Sequence, residues 1–148
     1  MDISNDNDFK AALNELPHAG QRQLAARFAE NVLALSQDVR VKNAINFAKR
    51  TDITEDELAA ALQSAKSASV ESFTRCGHEC DWNSQAGHFV AQAALSCLKP
   101  AEQGANAAWE AAMHARMART SESIATGHGT DNAEATAQYR ILAEFLKI

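Results

Sequence analysis

The chain has 148 residues, an apolar fraction of 46% and a formal net charge of −5, which together predict one globular domain and exclude a disordered or fibrous chain. A net negative charge argues against a nucleic-acid-binding protein, because contact with phosphates requires a basic face. There is no apolar run of transmembrane length, and three cysteines, an odd number, argue against a secreted disulfide framework.

Residues 1–18 are expected to form a short helix and a turn that could be loosely attached to the rest of the domain. The helix should run from about Asp8 to Leu16 and stop at Pro17. The N-terminus, MDISNDNDFK, is acidic and lacks the basic and apolar regions of a secretion signal. We therefore expect a cytoplasmic protein.

Two amphipathic helices are predicted next, over about residues 20–35 and 39–50. The segment 36–38 interrupts the apolar spacing between them, and Lys49 and Arg50 suit the C-terminal end of the second of these helices. The residues expected to face the core from these two helices are Leu24, Phe28, Val32, Leu35, Val41, Ile45 and Ala48.

A fourth helix begins at a capping box, Thr54-Glu-Asp-Glu57. The Thr54 hydroxyl can accept a hydrogen bond from the Glu57 amide, and the Glu57 carboxylate can accept one from the Thr54 amide. The expected inward stripe of this long helix is Leu58, Leu62, Ala65, Ser69 and Phe73.

The acids at this helix start also form a cluster, made of Asp52, Glu55, Asp56 and Glu57. Capping accounts for at least two of them, and acids in the first turn complement the positive end of the helix. The same cluster is a candidate contact for a basic protein partner. The basic strip before it could instead neutralise it at the surface, through Arg40, Lys42, Lys49 and Arg50.

The stretch RCGHECDW places two thiols and an imidazole within five residues, at Cys76, His78 and Cys80. These three side chains could bind zinc or copper, with His88 or a more distant residue as the fourth ligand. However, His88 lies about 10 Å along the next helix at 1.5 Å per residue. The other interpretation is a turn between two helices that carries free thiols. A nucleophilic Cys80 is disfavoured by its acidic neighbours, which raise a thiol pKa.

Three further helices are predicted, over about residues 82–98, 102–124 and 132–146. Asp81 is the expected N-cap of the first, and Lys99-Pro100 ends it. On the second, Trp109, Met113 and Met117 recur at helical spacing. This pattern predicts a core stripe, with His114 at its edge, more readily than a copper or haem site.

The elements together predict an all-α fold: residues 1–148 form a single-domain antiparallel bundle of about six to seven helices. Alanine is abundant, prolines occur only between the predicted helices, and no alternating segment of strand type is present.

Three segments within residues 24–97 form a distinctive series: FAENVLALSQDVRVKNAINFAKR, then ITEDELAAALQSAKSA, then AGHFVAQAA. On these segments, residues 24–97 resemble the immunity-protein family of small all-helical bacterial proteins. In these segments an acid, Glu30, precedes the aliphatic pair Val32 and Leu33, and a basic helix, an acid-capped alanine-rich helix and an Ala-Gly-His segment follow. The resemblance implies a protein that binds and neutralises a toxin, and it implies no catalytic residues.

Three functions are therefore open from sequence. The first is a non-catalytic protein-binding domain, without a cofactor, whose best charged contact is the acidic cluster. The second is a metal- or thiol-dependent protein that uses the RCGHEC turn. The third is a small-molecule pocket inside the bundle, lined by Phe89, Trp109 and Met113.

Overall fold

The computed structural model describes residues 3–76, 81–101 and 105–147, with only the backbone at Cys76. This part of the chain contains seven α-helices and one 3₁₀ turn, which confirms the predicted all-α bundle. The helices are α1 Asp6–Asn14, α2 His18–Asn31, α3 Val39–Lys49, α4 Glu55–Cys76, α5 Trp82–Leu98, α6 Ala107–Ala125 and α7 Glu134–Leu146, with the 3₁₀ turn at Leu33–Leu35. None of these helices is long and apolar enough to cross a bilayer.

The helix α5 lies at the centre of the bundle and packs against α2, α3, α4 and α6. Most of its buried residues are alanines or other small residues, which allow neighbouring helix backbones to approach closely. Its boundaries agree with the prediction, and Asp81 caps it by accepting a hydrogen bond from the Ser84 amide at 2.7 Å. Gly87 shows how close the packing is, because a Cβ atom there would lie 3.4 Å from the carbonyl oxygen of Leu35.

The helix α6 buries alanines rather than the predicted Trp109, Met113 and Met117 stripe. Met117 is 45% exposed, and Trp109 and Met113 are half-buried at the edge of the core. The helix is therefore rotated relative to the prediction, because small residues let it sit closer to α5 and α2. The alanines that form its buried face are Ala107, Ala108, Ala111, Ala112, Ala115 and Ala118.

Some helix ends also differ from the prediction. The second helix stops at Asn31 and continues as the 3₁₀ turn, so Leu35 is only half-buried. The predicted start of the sixth helix at residue 102 lies outside the described residues, and α6 begins after the N-cap Asn106. The aromatic Phe73, expected in the inward stripe of α4, is 69% exposed.

The N-terminal helix α1 is joined to the bundle through a buried aromatic residue and an ion pair. Phe9 is fully buried, with its ring centroid 5.3 Å from that of Tyr139 and 5.6 Å from that of Phe28. Asp6 accepts two hydrogen bonds from the Arg116 guanidinium, at 2.8 and 3.0 Å. Apolar packing and charged hydrogen bonds thus hold the first described helix against α2, α6 and α7.

Candidate functional site

The capping box at the start of α4 has the predicted geometry. The Glu57 amide donates to the Thr54 hydroxyl, and the Thr54 amide donates to the Glu57 carboxylate, both at 3.1 Å. The hydrogen bond from the Thr54 amide, with one from Arg50, holds the pKa of the Glu57 carboxyl below its ordinary value. Glu57 therefore has a structural role in helix initiation.

Arg50 neutralises part of the acidic cluster. Its guanidinium lies 2.9 Å from Glu57 and 3.2 Å from Asp52, and it lowers the pKa of the Asp52 carboxyl. Glu55 and Asp56 are exposed and form no ion pair within the described residues. Of the four predicted contact residues, Glu55 and Asp56 are therefore the two whose negative charges could pair with a basic partner.

Lys49 and Arg40 of the basic strip pair with other acids, contrary to the expected pairing, and Lys42 is exposed and forms no ion pair within the described residues. Lys49 lies 2.6 Å from Glu30 on α2, and Arg40 is paired with Asp38 at 2.7 Å and with Glu71 at 2.9 Å. The strip thus ties α3 to its neighbours α2 and α4 instead of covering the acids.

The metal-site hypothesis falls mostly outside the described residues. His78, Cys80 and the side chain of Cys76 are not described, so the RCGHEC site stays a prediction. The described side chains contain no group of three or more His, Cys, Asp or Glu residues that could hold a metal ion. The fourth candidate, His88, has its Nδ1 atom 2.8 Å from the hydroxyl oxygen of Ser72, so one of its ring nitrogens is already engaged.

A small polar cluster around His88 joins α4 to α5. The Ser72 hydroxyl donates to the carbonyl of Ser69 at 2.8 Å, and its oxygen lies 2.8 Å from His88 Nδ1. The ring tautomer that fits this arrangement carries its hydrogen on Nδ1, because the hydroxyl has a single hydrogen. Gln92 donates to the hydroxyl of Ser69 at 2.8 Å. Burial lowers the pKa of His88, which keeps the ring neutral near pH 7.

This serine–histidine pair does not have the geometry of a nucleophile and its base. A general base accepts the hydroxyl proton, but the hydrogen of Ser72 points to a backbone carbonyl. No carboxylate in the described part of the chain is hydrogen-bonded to the His88 ring to orient it. The cluster is best interpreted as a set of hydrogen bonds that satisfies polar groups between α4 and α5.

A cleft of about 920 Å³ lies next to this polar cluster, and Ser72 and His88 are among the residues that line it. It is bounded by residues 34–41, by the C-terminal half of α4 and by the N-terminal half of α5. Its charged side chains pair with one another: Arg40 binds Asp38 and Glu71, and Arg75 lies 4.0 Å from Glu71. Hydrogen bonds from Arg40 lower the pKa of Asp38. The cleft therefore carries little net charge to select a charged ligand.

The sequence predicts an internal pocket lined by Phe89, Trp109 and Met113. None of these three residues lines the observed cleft. Trp109 faces α1, with its ring centroid 6.1 Å from that of Phe9. Phe89 instead contacts the ring of His88, at a centroid distance of 5.9 Å. The closest aromatic neighbours of Trp109 and Phe89 thus lie on different helices.

An exposed aromatic face lies along α4 and α5, and the sequence reasoning missed it. We define the aromatic face by Val70 and Phe73 of α4 and by Trp82 and Phe89 of α5. The first three are 64%, 69% and 45% exposed, although such side chains are usually buried. The ring of His88 lies between the two helices: its centroid is 5.8 Å from that of Phe73 and 5.9 Å from that of Phe89.

Helical register places the members of the aromatic face that share a helix on the same side of it. Trp82 and Phe89 are seven residues apart, which places them on the same side of α5 two turns from each other. Val70 and Phe73 are one turn apart on α4. Three of the five large apolar side chains found exposed in the described chain belong to this face, the others being Val39 and Met117. An exposed apolar patch of this kind marks interaction surfaces.

No known family model, curated protein or solved structure matches this chain. The resemblance of residues 24–97 to immunity proteins therefore stays a prediction.

Proposed function

We propose that this protein is a non-catalytic, protein-binding helical domain that contacts its partner through the aromatic face. The observation that carries the proposal is the exposure of Phe73, at 69%, together with that of Val70 and Trp82. Burying one such side chain against a partner contributes about 1.5–3 kcal/mol. Aromatic residues are also enriched at the centres of protein interfaces.

The acidic cluster is the second contact in this proposal. Glu55 and Asp56 are exposed at the opposite end of α4 from Phe73, so a partner that covers both regions would lie along that helix. The resemblance to immunity proteins extends the proposal to a toxin with a basic surface as the partner. Such a protein acts by covering its partner, which requires no catalytic group of its own.

The test of the proposal compares surface variants that leave the core intact. Val70→Ser, Phe73→Ser and Trp82→Ser remove the aromatic face, and Val39→Ser removes an equally exposed side chain elsewhere. In an otherwise unchanged protein, a photocrosslinking analogue of phenylalanine replaces Phe73. This protein is crosslinked in its own host and purified, and the attached partner is identified by mass spectrometry. Affinity of the purified partner is then measured for each variant.

We expect the triple variant to bind more than about a hundredfold more weakly, because two or more interface side chains of about 1.5 kcal/mol each are lost. Val39→Ser should bind like the wild type, and all variants should melt within a few degrees of it. Unchanged affinity of the triple variant would assign the partner to another surface. Replacing Glu55 and Asp56 by serine tests the second contact in the same assay.

Native mass spectrometry of the untagged protein, purified without chelator, separates this proposal from the metal hypothesis. A mass excess of one zinc or copper ion that is lost in a Cys76→Ser or Cys80→Ser variant would favour the RCGHEC site. A metal-free mass, alone or with a bound polypeptide, would favour the protein-binding function.

A further inference from the structure

The histidine His114 lies on α6, the helix that packs most extensively against α5. Its Nδ1 atom is buried, and within the described chain it has no hydrogen-bond partner. A neutral imidazole carries one hydrogen and one lone pair, whereas a protonated ring carries a hydrogen on both nitrogens. Protonation of His114 would therefore place a buried N–H group, with positive charge, where the described residues provide no acceptor.

The charges around His114 also oppose protonation. The groups that act on the ring are Lys99 at the end of α5, His88 within α5, and Glu110 one turn earlier on α6. Lys99 and His88 disfavour a positive charge, and Glu110 favours one. Glu110 already lies 3.8 Å from Lys99, so its carboxylate is shared with another cation. Burial is the largest of these effects, and the pKa of His114 lies below its ordinary value.

We propose that His114 makes the packing of α6 against α5 sensitive to mild acid. At neutral pH the uncharged ring is held on α6 with its Nδ1 atom buried, within electrostatic range of His88 and Lys99 on the α5 side. In mild acid the packing between the two helices must open to hydrate the ring or to bring Glu110 to it. Because α1, α2 and α7 also contact α6, loosening this helix weakens the bundle as a whole.

The direction of the effect follows from proton linkage. An unfolded chain binds a proton at His114 near pH 6.5, and the folded chain binds it only at a lower pH. The stability that results is complete above about pH 6.5 and is lost as the pH falls toward the folded-state pKa. Carboxylates such as Asp6 and Asp38 have pKa values below 3.8, so their contributions change at lower pH than this window.

His88 titrates in the same window, so the experiment must separate the two rings. The free energy of unfolding in urea is measured at pH 7.5, 6.5 and 5.5 for the wild type, for His114→Phe and for His128→Gln. His128 is exposed in the loop before α7 and serves as the matched control. In parallel, the ring resonances of His114 are followed by NMR through a pH titration of the wild-type protein.

We expect the wild-type unfolding equilibrium constant to rise below pH 6.5 by up to about tenfold per pH unit for each buried histidine. His114→Phe should lose about half of this slope, and His128→Gln should keep it. The NMR titration should give His114 a midpoint below 6.5. A midpoint at or above 6.5, or an unchanged slope in His114→Phe, would overturn the proposal. If His114→Phe does not fold, the NMR midpoint of His114 in the wild-type protein is the deciding measurement.

Discussion

Arg119 on α6 donates its Nε–H to the carboxylate of Glu134, the first residue of α7, at 3.1 Å. Only 1% of the Glu134 side chain is exposed, against 27% for Arg119. Asn31 at the end of α2 donates to the same carboxylate at 2.8 Å, and its own carbonyl accepts from Arg119. This buried polar group therefore joins α2, α6 and α7 at one point.

Replacing Glu134 by glutamine should destabilise the fold. The variant keeps the size of the side chain but removes the buried charge opposite Arg119, which then keeps only its ion pair with Glu122 among the described residues. We expect a loss of about 2 kcal/mol in the free energy of unfolding, measured with urea at pH 7. Glu144→Gln, on an exposed site of the same helix, is the control and should change stability by less than about 0.5 kcal/mol. Equal effects of the two variants would remove the structural role assigned to Glu134.

The capping box gives a second, local prediction. Thr54→Ala removes the oxygen that accepts the Glu57 amide hydrogen bond and should cost about 1 kcal/mol. Thr51→Ala changes an exposed threonine three residues earlier, outside the helix, and should have little effect. Thermal unfolding of the two variants measures the difference. If both melt like the wild type, the reciprocal hydrogen bonds at this helix start contribute nothing to stability.

The features that could be predicted from sequence are those decided within a few neighbouring residues. The caps at Thr54 and Asp81 join groups three residues apart, so the sequence contains both partners of each bond. The buried face of α3, at Val41, Ile45 and Ala48, follows from apolar spacing alone. The helical class of the fold rests on the same local information.

The features that sequence reasoning missed depend on distant parts of the chain. Alanine is compatible with a buried or an exposed position, so apolar spacing predicts that the larger Met117 faces the core, whereas alanines fill it. Spacing placed Phe73 on the inward side of α4 but could not show whether another helix covers that position. The burial of Glu134 depends on Asn31, which is 103 residues away. Apolar periodicity therefore predicts helices better than it predicts what each helix faces.

Cys97 gives the last prediction, because its thiol differs from a reactive one in both burial and bonding. It is fully buried on α5, its Sγ atom donates to the Ala93 carbonyl at 3.2 Å, and burial raises its pKa. The thiolate is the reactive form of cysteine. In the folded protein, burial keeps reagents away from the Cys97 thiol and also keeps it protonated. We expect alkylation of Cys97 at pH 8 to be slower than in the unfolded chain by a factor on the order of a thousand.

The rate of modification is followed by mass spectrometry of the peptide that contains Cys97, with N-ethylmaleimide as the reagent. The same protein in urea provides the unfolded reference rate. If the thiol becomes accessible only when the whole protein unfolds, the labelling rate follows the unfolding equilibrium constant. Glu134→Gln should then raise the labelling rate in buffer by the same factor as it raises that constant. Labelling at the unfolded rate in the native wild type would place Cys97 at an accessible surface and contradict the packing of α5. Slow labelling that does not respond to Glu134→Gln would instead show that α5 opens independently of α7.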